Sequence, residues 1–229
     1  MGNDLVVNNP LRALGLDEKA EGKESMGLVV ARAGLGKTAI LVQFALDCML
    51  LGNKVLHVSI GEGVDKTRTW YDDILALITD GEKIESIPEI MQNRMIMTFK
   101  ENSFSKAMFV ERLDDLVKQG IYQPECLIID GYDFDANTKE SLEEFRNVMT
   151  EQGLKMIWFS AVSHRDDERV SEAGVPAPCH EVDSLFDTIL LINPEGDAMT
   201  LDILKCDAGS IDPGTTLLLD PSTMLLKKA

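Results

Sequence analysis

Gly34, Gly36, Lys37 and Thr38 lie close together just after Ala31, and their types suit the binding of phosphate groups. The glycines let the backbone curl so that successive N–H groups point into one concavity. A lysine placed here can reach the β- and γ-phosphates of a nucleotide, and the threonine hydroxyl can ligate Mg²⁺. An apolar stretch precedes this turn and a helical pattern follows it, so the positive end of a helix faces the anion. The sequence therefore predicts a P-loop that binds a nucleoside triphosphate.

The nucleotide is expected to contact seven consecutive residues: Ala33, Gly34, Leu35, Gly36, Lys37, Thr38 and Ala39. Ala31 stands where the P-loop pattern has its first glycine. Alanine is disfavoured at positive φ, so the pattern predicts a slightly reshaped loop. The alternative is a chance Gly-Leu-Gly-Lys-Thr turn, which the strand before it and the helix after it disfavour.

Two carboxylates complete the predicted site. Asp130 ends the apolar run that begins at Cys126, where a P-loop enzyme places the acidic residue that holds Mg²⁺. Glu62 follows the apolar strand ending at Ile60, and ligands of open α/β sheets bind at such carboxyl ends. Glu62 is therefore the candidate general base that activates water. The alternatives are a solvated loop glutamate or a residue of the first helical turn for Glu62, and an acidic residue that begins a loop for Asp130.

Helical and strand patterns alternate up to about residue 160, and strand patterns dominate afterwards. Continuously apolar strands indicate a parallel sheet covered on both faces, and the strand-rich tail predicts antiparallel strands at one edge. The predicted helices are Lys37–Leu51, Lys66–Ile78, Ser105–Lys118 and Lys139–Gln152. The predicted strands are Leu28–Ala31, Lys54–Ile60, Arg94–Phe99, Cys126–Ile129, Lys155–Phe159, Phe186–Ile192, Thr200–Lys205, Thr215–Leu219 and Met224–Leu226.

Composition limits the domain organisation and the class of partner. The chain has 229 residues, 45% of them hydrophobic, which suits one α/β domain over residues 25–229 after an N-terminal arm, residues 1–24. Its 39 acidic and 22 basic residues leave a net charge of −17, which disfavours nucleic-acid binding because that affinity depends on basic surfaces. No signal peptide or membrane-length apolar run is visible, so we expect a cytoplasmic protein without a membrane partner.

The motif order and spacing resemble those of the RecA-like ATPases, and most of all the branch of KaiC, RadA and the replicative helicases. The resemblance rests on the P-loop, the strand leading to Glu62, Leu127–Asp130 and the segment Phe159–Arg165. It extends more weakly to a closing hairpin from Leu201 to Met224, so it spans about residues 26–227. It implies a P-loop NTPase fold of the RecA-like type, a mostly parallel sheet flanked by helices with antiparallel strands at its C-terminal edge.

Members of this family assemble as rings or filaments with ATP at the subunit interface. The resemblance implies that Lys205 reaches the nucleotide of the neighbouring subunit and is catalytic there. The companion arginine of the family is Asp207 here, and the sensor position, commonly glutamine, is Ala161, for which Ser160 or Ser163 could substitute. Of the paired glutamates that end the second strand, Glu62 matches the second and Gly61 replaces the first. The departures at Asp207 and Ala161 imply weak hydrolysis or a regulatory cycle rather than a fast motor.

The resulting functional expectation is an ATP- and Mg²⁺-binding, slowly hydrolysing ATPase that acts as a homo-oligomeric switch on a protein partner. One alternative is an ATP-binding module that does not hydrolyse and whose nucleotide stabilises assembly. Another is a DNA motor of the recombination or helicase type. A nucleotide kinase is disfavoured, because the region after Asp130 lacks a basic lid that could clamp a second phosphate group.

Overall fold

Short apolar strands form a central sheet, and amphipathic helices cover its faces. The computed structural model describes residues 10–16, 24–79, 87–137 and 139–227. In chain order the elements are α1 (Pro10–Ala13), β1 (Ser25–Ala31), α2 (Lys37–Leu50), β2 (Val55–Ile60), α3 (Val64–Ile78), α4 (Ile87–Met91), β3 (Arg94–Phe99), α5 (Lys106–Lys118), β4 (Cys126–Asp130), α6 (Lys139–Gln152), β5 (Met156–Val162), β6 (Thr188–Glu195), β7 (Ala198–Cys206) and β8 (Thr216–Leu219). Short 3-10 turns lie at Glu101–Ser103, Cys179–Glu181 and Asp183–Leu185.

The strands form an eight-stranded mixed sheet in the order β3-β2-β4-β5-β1-β6-β7-β8. Every pairing from β3 to β6 is parallel. The pairings of β6 with β7 and of β7 with β8 are antiparallel. This confirms the predicted mostly parallel sheet with antiparallel strands at its C-terminal edge. The inner strands β1, β2, β4 and β5 are mostly apolar and almost entirely buried, because helices or loops cover both of their faces.

The two faces of the sheet have separate hydrophobic cores. Helix α2 lies on the first face and is buried from Ala39 to Met49, and α1, α3 and α4 pack beside it. Helices α5 and α6 cover the second face, where Phe109 and Phe145 are buried against the sheet. This layering brings the N-terminus of α2 to the carboxyl edge of the parallel strands, which is where β1, β2 and β4 end.

Most predicted elements agree with the structure to within a few residues, and Arg94–Phe99 and Lys139–Gln152 agree at both ends. The predicted helix Ser105–Lys118 begins one residue later, because Ser105 is its N-cap and accepts a hydrogen bond from the Met108 N–H at 3.2 Å. The predicted strand Met224–Leu226 is wrong. Met224 has φ of 60°, which breaks an extended strand, and a single bridge between Leu219 and Leu226 remains.

Only part of the predicted arm, residues 1–24, is described: residues 10–16 and Glu24. The rest of the arm, 1–9 and 17–23, lies outside the described residues. The described part packs on the domain, since Leu14 and Leu16 are buried in the α2-side core and the Leu14 carbonyl accepts from the Ser210 N–H at 2.9 Å. Within the described ranges, no helix is long and apolar enough to cross a membrane.

Candidate functional site

The loop between β1 and α2 has the backbone conformation that its glycines allow. Gly34 and Gly36 have φ of 77° and 82°, in the left-handed region that side chains disfavour. Gly36 is the N-cap of α2, so the free N–H groups of the first helical turn point toward this loop. Ala31, in contrast, is the last residue of β1, where it pairs with Val162 and needs no positive φ. Alanine at this position therefore does not reshape the loop.

The Lys37 side chain folds back over this loop. Its ammonium donates to the carbonyl oxygens of Arg32 at 3.1 Å and Ala31 at 3.4 Å. Burial lowers the pKa of Lys37 from its usual value, and the negative charge of Asp130 opposes this shift. The ammonium thus lies beside the N-terminus of α2 and near the Asp130 carboxylate. Its hydrogen-bond partners are main-chain carbonyl groups, and a bound anion can take their place.

Thr38 and Asp130, predicted from distant parts of the sequence, are in direct contact. The Thr38 hydroxyl donates to Oδ2 of Asp130 at 2.7 Å. The contact arises because β4 ends under the first turn of α2, with Asp130 paired in register with Ser59 of β2. A hydroxyl and a carboxylate side by side provide oxygen ligands of the kind that Mg²⁺ prefers.

Ser160 holds the other oxygen of this carboxylate. Its hydroxyl donates to Oδ1 of Asp130 at 2.5 Å and accepts from the Gly131 N–H at 3.0 Å. Ala161, at the predicted sensor position, lies in the core on the opposite face of the sheet, because successive residues of a strand alternate in direction. Of the two serines considered as substitutes, Ser160 is the one hydrogen-bonded to Asp130.

Glu62 and Lys205 make other contacts. The Glu62 carboxylate is 52% exposed and forms an ion pair with the Lys66 ammonium at 2.6 Å. Lys205 lies on β7, beyond β6 from the P-loop strand, and pairs with Asp207 at 3.3 Å. No hydrogen bond or ion pair joins either residue to the P-loop within the part of the chain described here. The catalytic roles of Glu62 and Lys205 stay predictions.

A cleft of about 760 Å³ opens beside the P-loop. It is bounded by α3 on one side and by the turn after β8 on the other, with Leu35, Trp70, Ile74, Met199, Pro221 and Met224 among its lining residues. Sequence reasoning did not assign this cleft. In the sequence its apolar residues have the pattern of ordinary core positions. Only the folded structure brings α3 and the turn after β8 to the P-loop.

Met224 fixes the C-terminal turn against the P-loop. A side chain added at Gly36 would lie 2.7 Å from Cε of Met224, so the methionine covers the glycine directly. The buried Gln43 amide of α2 donates to the Met224 carbonyl at 2.9 Å. Met224 is the sole non-glycine residue with positive φ among the described residues. These contacts hold Met224, one of the residues that line the cleft, next to the loop.

His57 is a buried polar neighbour of the same site. It lies on β2 with no exposed surface, and its Nδ1 is 2.9 Å from the Tyr71 hydroxyl. Burial lowers the pKa of His57 to about 4, while the charge of Asp130 opposes the shift and that of Arg94 adds to it. His57 is therefore neutral at physiological pH, and Lys37 supplies the positive charge near Asp130.

Comparison of the chain with models of known protein families found no match, and comparison with curated proteins found none. Among the described residues, no group of three or more His, Cys, Asp or Glu side chains is arranged to hold a metal ion. A Mg²⁺ site built from one hydroxyl, one carboxylate, water and phosphate oxygens does not need such a group.

Proposed function

We propose that the protein binds ATP with Mg²⁺ at the P-loop and hydrolyses it slowly. The observation that carries this proposal is the contact of the Thr38 hydroxyl with the Asp130 carboxylate at 2.7 Å, directly at the N-terminus of a helix preceded by a loop of left-handed glycines. Anions are stabilised at helix N-termini, and a hydroxyl beside a carboxylate suits a magnesium ion bound to that anion.

The Thr38 and Asp130 side chains carry oxygen atoms, which are the ligands that Mg²⁺ prefers. Thr38 and Asp130 would hold Mg²⁺ through oxygen atoms, with phosphate oxygens and water completing its shell. When bound, the ion neutralises charge on the phosphates. Ser160 fixes Oδ1 of Asp130, so the carboxylate keeps one orientation, and Oδ2 is the atom shared with Thr38.

The remaining residues bind and orient the substrate. The free N–H groups of the loop and first helical turn bind phosphate oxygens, and the Lys37 ammonium leaves its carbonyl partners for the β- and γ-phosphates. The cleft beside the loop has a size typical of small-molecule sites, and its partly buried Trp70 offers an aromatic face to a nucleobase.

The biological role that we propose is an oligomeric switch of the RecA and KaiC type that acts on a protein partner. The mostly parallel sheet with helices on both faces is compatible with a P-loop fold of this kind. The net charge of −17 favours a protein partner over nucleic acid. Lys205 is the residue that we expect to reach the nucleotide of a neighbouring subunit.

Calorimetric titration with ATP and Mg²⁺ tests the binding. We expect Lys37→Ala to weaken ATP binding strongly, since it removes the ammonium that reaches the phosphates. The matched control is Lys118→Ala, which removes the same charge from an exposed lysine of α5 on the other face of the sheet. Equal ATP affinity in the parent and the Lys37 variant contradicts the proposed site.

Phosphate release with and without single-stranded DNA separates the classes of function. Slow, DNA-independent turnover supports the switch, and strong stimulation by DNA supports a motor. Binding without turnover supports an assembly module. Two contacts favour that module as the second candidate: Lys205 is paired with Asp207 and Glu62 with Lys66, so neither predicted catalytic charge is free.

A further inference from the structure

Glu101 lies at the carboxyl end of β3, against the end of β2. It opens the 3-10 turn Glu101–Ser103, and the Gly61 N–H donates to the Phe99 carbonyl at 2.8 Å, which ties the two strand ends together. A side chain added at Gly61 would lie 3.0 Å from Cγ and 3.1 Å from Oε1 of Glu101. The Glu101 side chain therefore occupies the space that a side chain at position 61, just after β2, would fill.

The surface between Glu101 and Asp130 carries glycine at both strand ends. Gly61 follows β2 with φ of 87°, and Gly131 follows β4 with φ of 86°. A side chain at Gly131 would lie 2.4 Å from the Ile60 carbonyl oxygen, so these strand ends approach as closely as backbones allow. The ends of β3 and β4 are two strand spacings apart, about 10 Å. Glu101 and Asp130 therefore follow strands on either side of β2, at the same carboxyl edge of the parallel sheet.

The Glu101 carboxylate is also available to accept a proton. It is exposed, and no hydrogen bond or ion pair occupies it in the described part of the chain. Glu62, the carboxylate expected from the sequence to be the base, is instead paired with Lys66 at 2.6 Å. The Glu62 carboxylate therefore already has a partner, whereas the Glu101 carboxylate has none among the described residues.

We propose that Glu101 is the general base of ATP hydrolysis, an inference that rests on the proposed function. A water molecule between Glu101 and the γ-phosphate gives its proton to a Glu101 carboxylate oxygen while its oxygen bonds to the γ-phosphorus. The bond from that phosphorus to the β–γ bridging oxygen breaks, and ADP leaves with the bonding electron pair. The proton then passes from Glu101 to solvent, so the products are ADP, phosphate and a regenerated carboxylate.

The test compares Glu101→Gln with Glu62→Gln under single-turnover conditions. Losing a positioned base costs a factor of about 100 or more, so we expect that loss for Glu101→Gln, with ATP affinity unchanged by calorimetry. Glu62→Gln tests the base expected from the sequence, and we expect a smaller loss of turnover for it than for Glu101→Gln. Glu111→Gln, an exposed glutamate of α5, is the control for removing one negative charge.

Two further readouts separate a base from a structural role. The acidic limb of the pH–rate profile, present in the parent, should be lost in Glu101→Gln, and added formate should restore part of the turnover of Glu101→Ala. A parent-like rate in Glu101→Gln, or a hundredfold loss in Glu62→Gln alone, overturns the assignment. Binding of ATP by the parent without any hydrolysis also overturns it, while leaving the nucleotide site standing. Failure of the parent to bind ATP overturns the proposed function itself and this inference with it.

Discussion

Replacing Ser160 by alanine tests the polar contacts that hold Asp130 in place. Ser160 is 2% exposed, and its hydroxyl makes two hydrogen bonds, one to Oδ1 of Asp130 at 2.5 Å and one from the Gly131 N–H at 3.0 Å. The alanine variant keeps the strand and its neighbours but removes both bonds. Because the site is buried, water cannot replace the hydroxyl without a cavity to occupy.

The magnitude follows from the two bonds. A hydrogen bond to a charged group contributes about 1.5–3 kcal/mol, and a neutral one contributes about 0.5–1.5 kcal/mol. Asp130 keeps its bond from Thr38 and is only half-buried, so part of the loss is recovered by solvent. We therefore expect Ser160→Ala to lower the free energy of unfolding by about 2–4 kcal/mol. For a chain of this length, that corresponds to a Tm lower by about 4–16 °C.

Denaturant unfolding at neutral pH, followed by circular dichroism, measures this difference. Ser163→Ala is the matched control, because it makes the same chemical change three residues further on, just after the end of β5. The Ser163 backbone N–H donates to the Ala31 carbonyl, but its hydroxyl has no partner among the described residues. The control should change stability by less than about 0.5 kcal/mol. A Ser160 variant as stable as its control would refute the hydrogen-bonded arrangement of Asp130.

Asp130→Asn should weaken ATP binding in the presence of Mg²⁺ much more than in its absence, because the carboxylate acts through the metal; equal losses in the two calorimetric titrations would leave Asp130 a structural role only. His57 has a folded-state pKa of about 4 against an ordinary value of 6.5, so between these pH values the unfolded chain binds a proton that the folded chain excludes. Stability therefore falls by about 3 kcal/mol as the pH drops through this window, and His57→Gln should remove that contribution; unfolding of parent and variant near pH 7 and near pH 4 measures it, and parallel pH profiles would contradict the buried neutral imidazole. If Lys205 acts on the neighbouring subunit, a mixture of inactive Lys37→Ala and Lys205→Ala proteins should regain part of the ATPase activity, since some interfaces then combine an intact P-loop with an intact lysine; no rescue at any mixing ratio would place Lys205 outside the site.

Local sequence patterns were enough to predict most of the strands and helices. Arg94–Phe99 and Lys139–Gln152 were predicted at both ends, because a β-rich apolar run and a helical repeat are each recognisable within one short window. The predicted strand Met224–Leu226 failed for a tertiary reason. Its apolar residues fit a strand, but Met224 takes a left-handed backbone conformation where it packs on Gly36 and accepts a hydrogen bond from Gln43.

The candidate site also has a part that the sequence predicts and a part that only the folded structure decides. The loop residues lie in one short segment of the chain, and two of its positions have φ values that only glycine adopts easily. The sequence alone therefore indicates Gly34, Gly36, Lys37 and Thr38. Asp130 was inferred from its position at the end of an apolar strand. Its contact with Thr38 depends on where β4 ends relative to α2, and that is a property of the folded sheet.

Only the tertiary structure decided which other side chains accompany these residues. Strand alternation turns Ser160 toward Asp130 and buries Ala161 in the opposite core, although the two are neighbours in the buried part of β5, from Met156 to Ala161. Lys66 pairs with Glu62, and Glu101, in the turn that follows β3, lies beside Gly61. A linear sequence records which residues can bind phosphate, because that capacity is local. Which carboxylates and apolar side chains surround this loop depends on sheet order and register, which arise from packing between segments far apart in the chain.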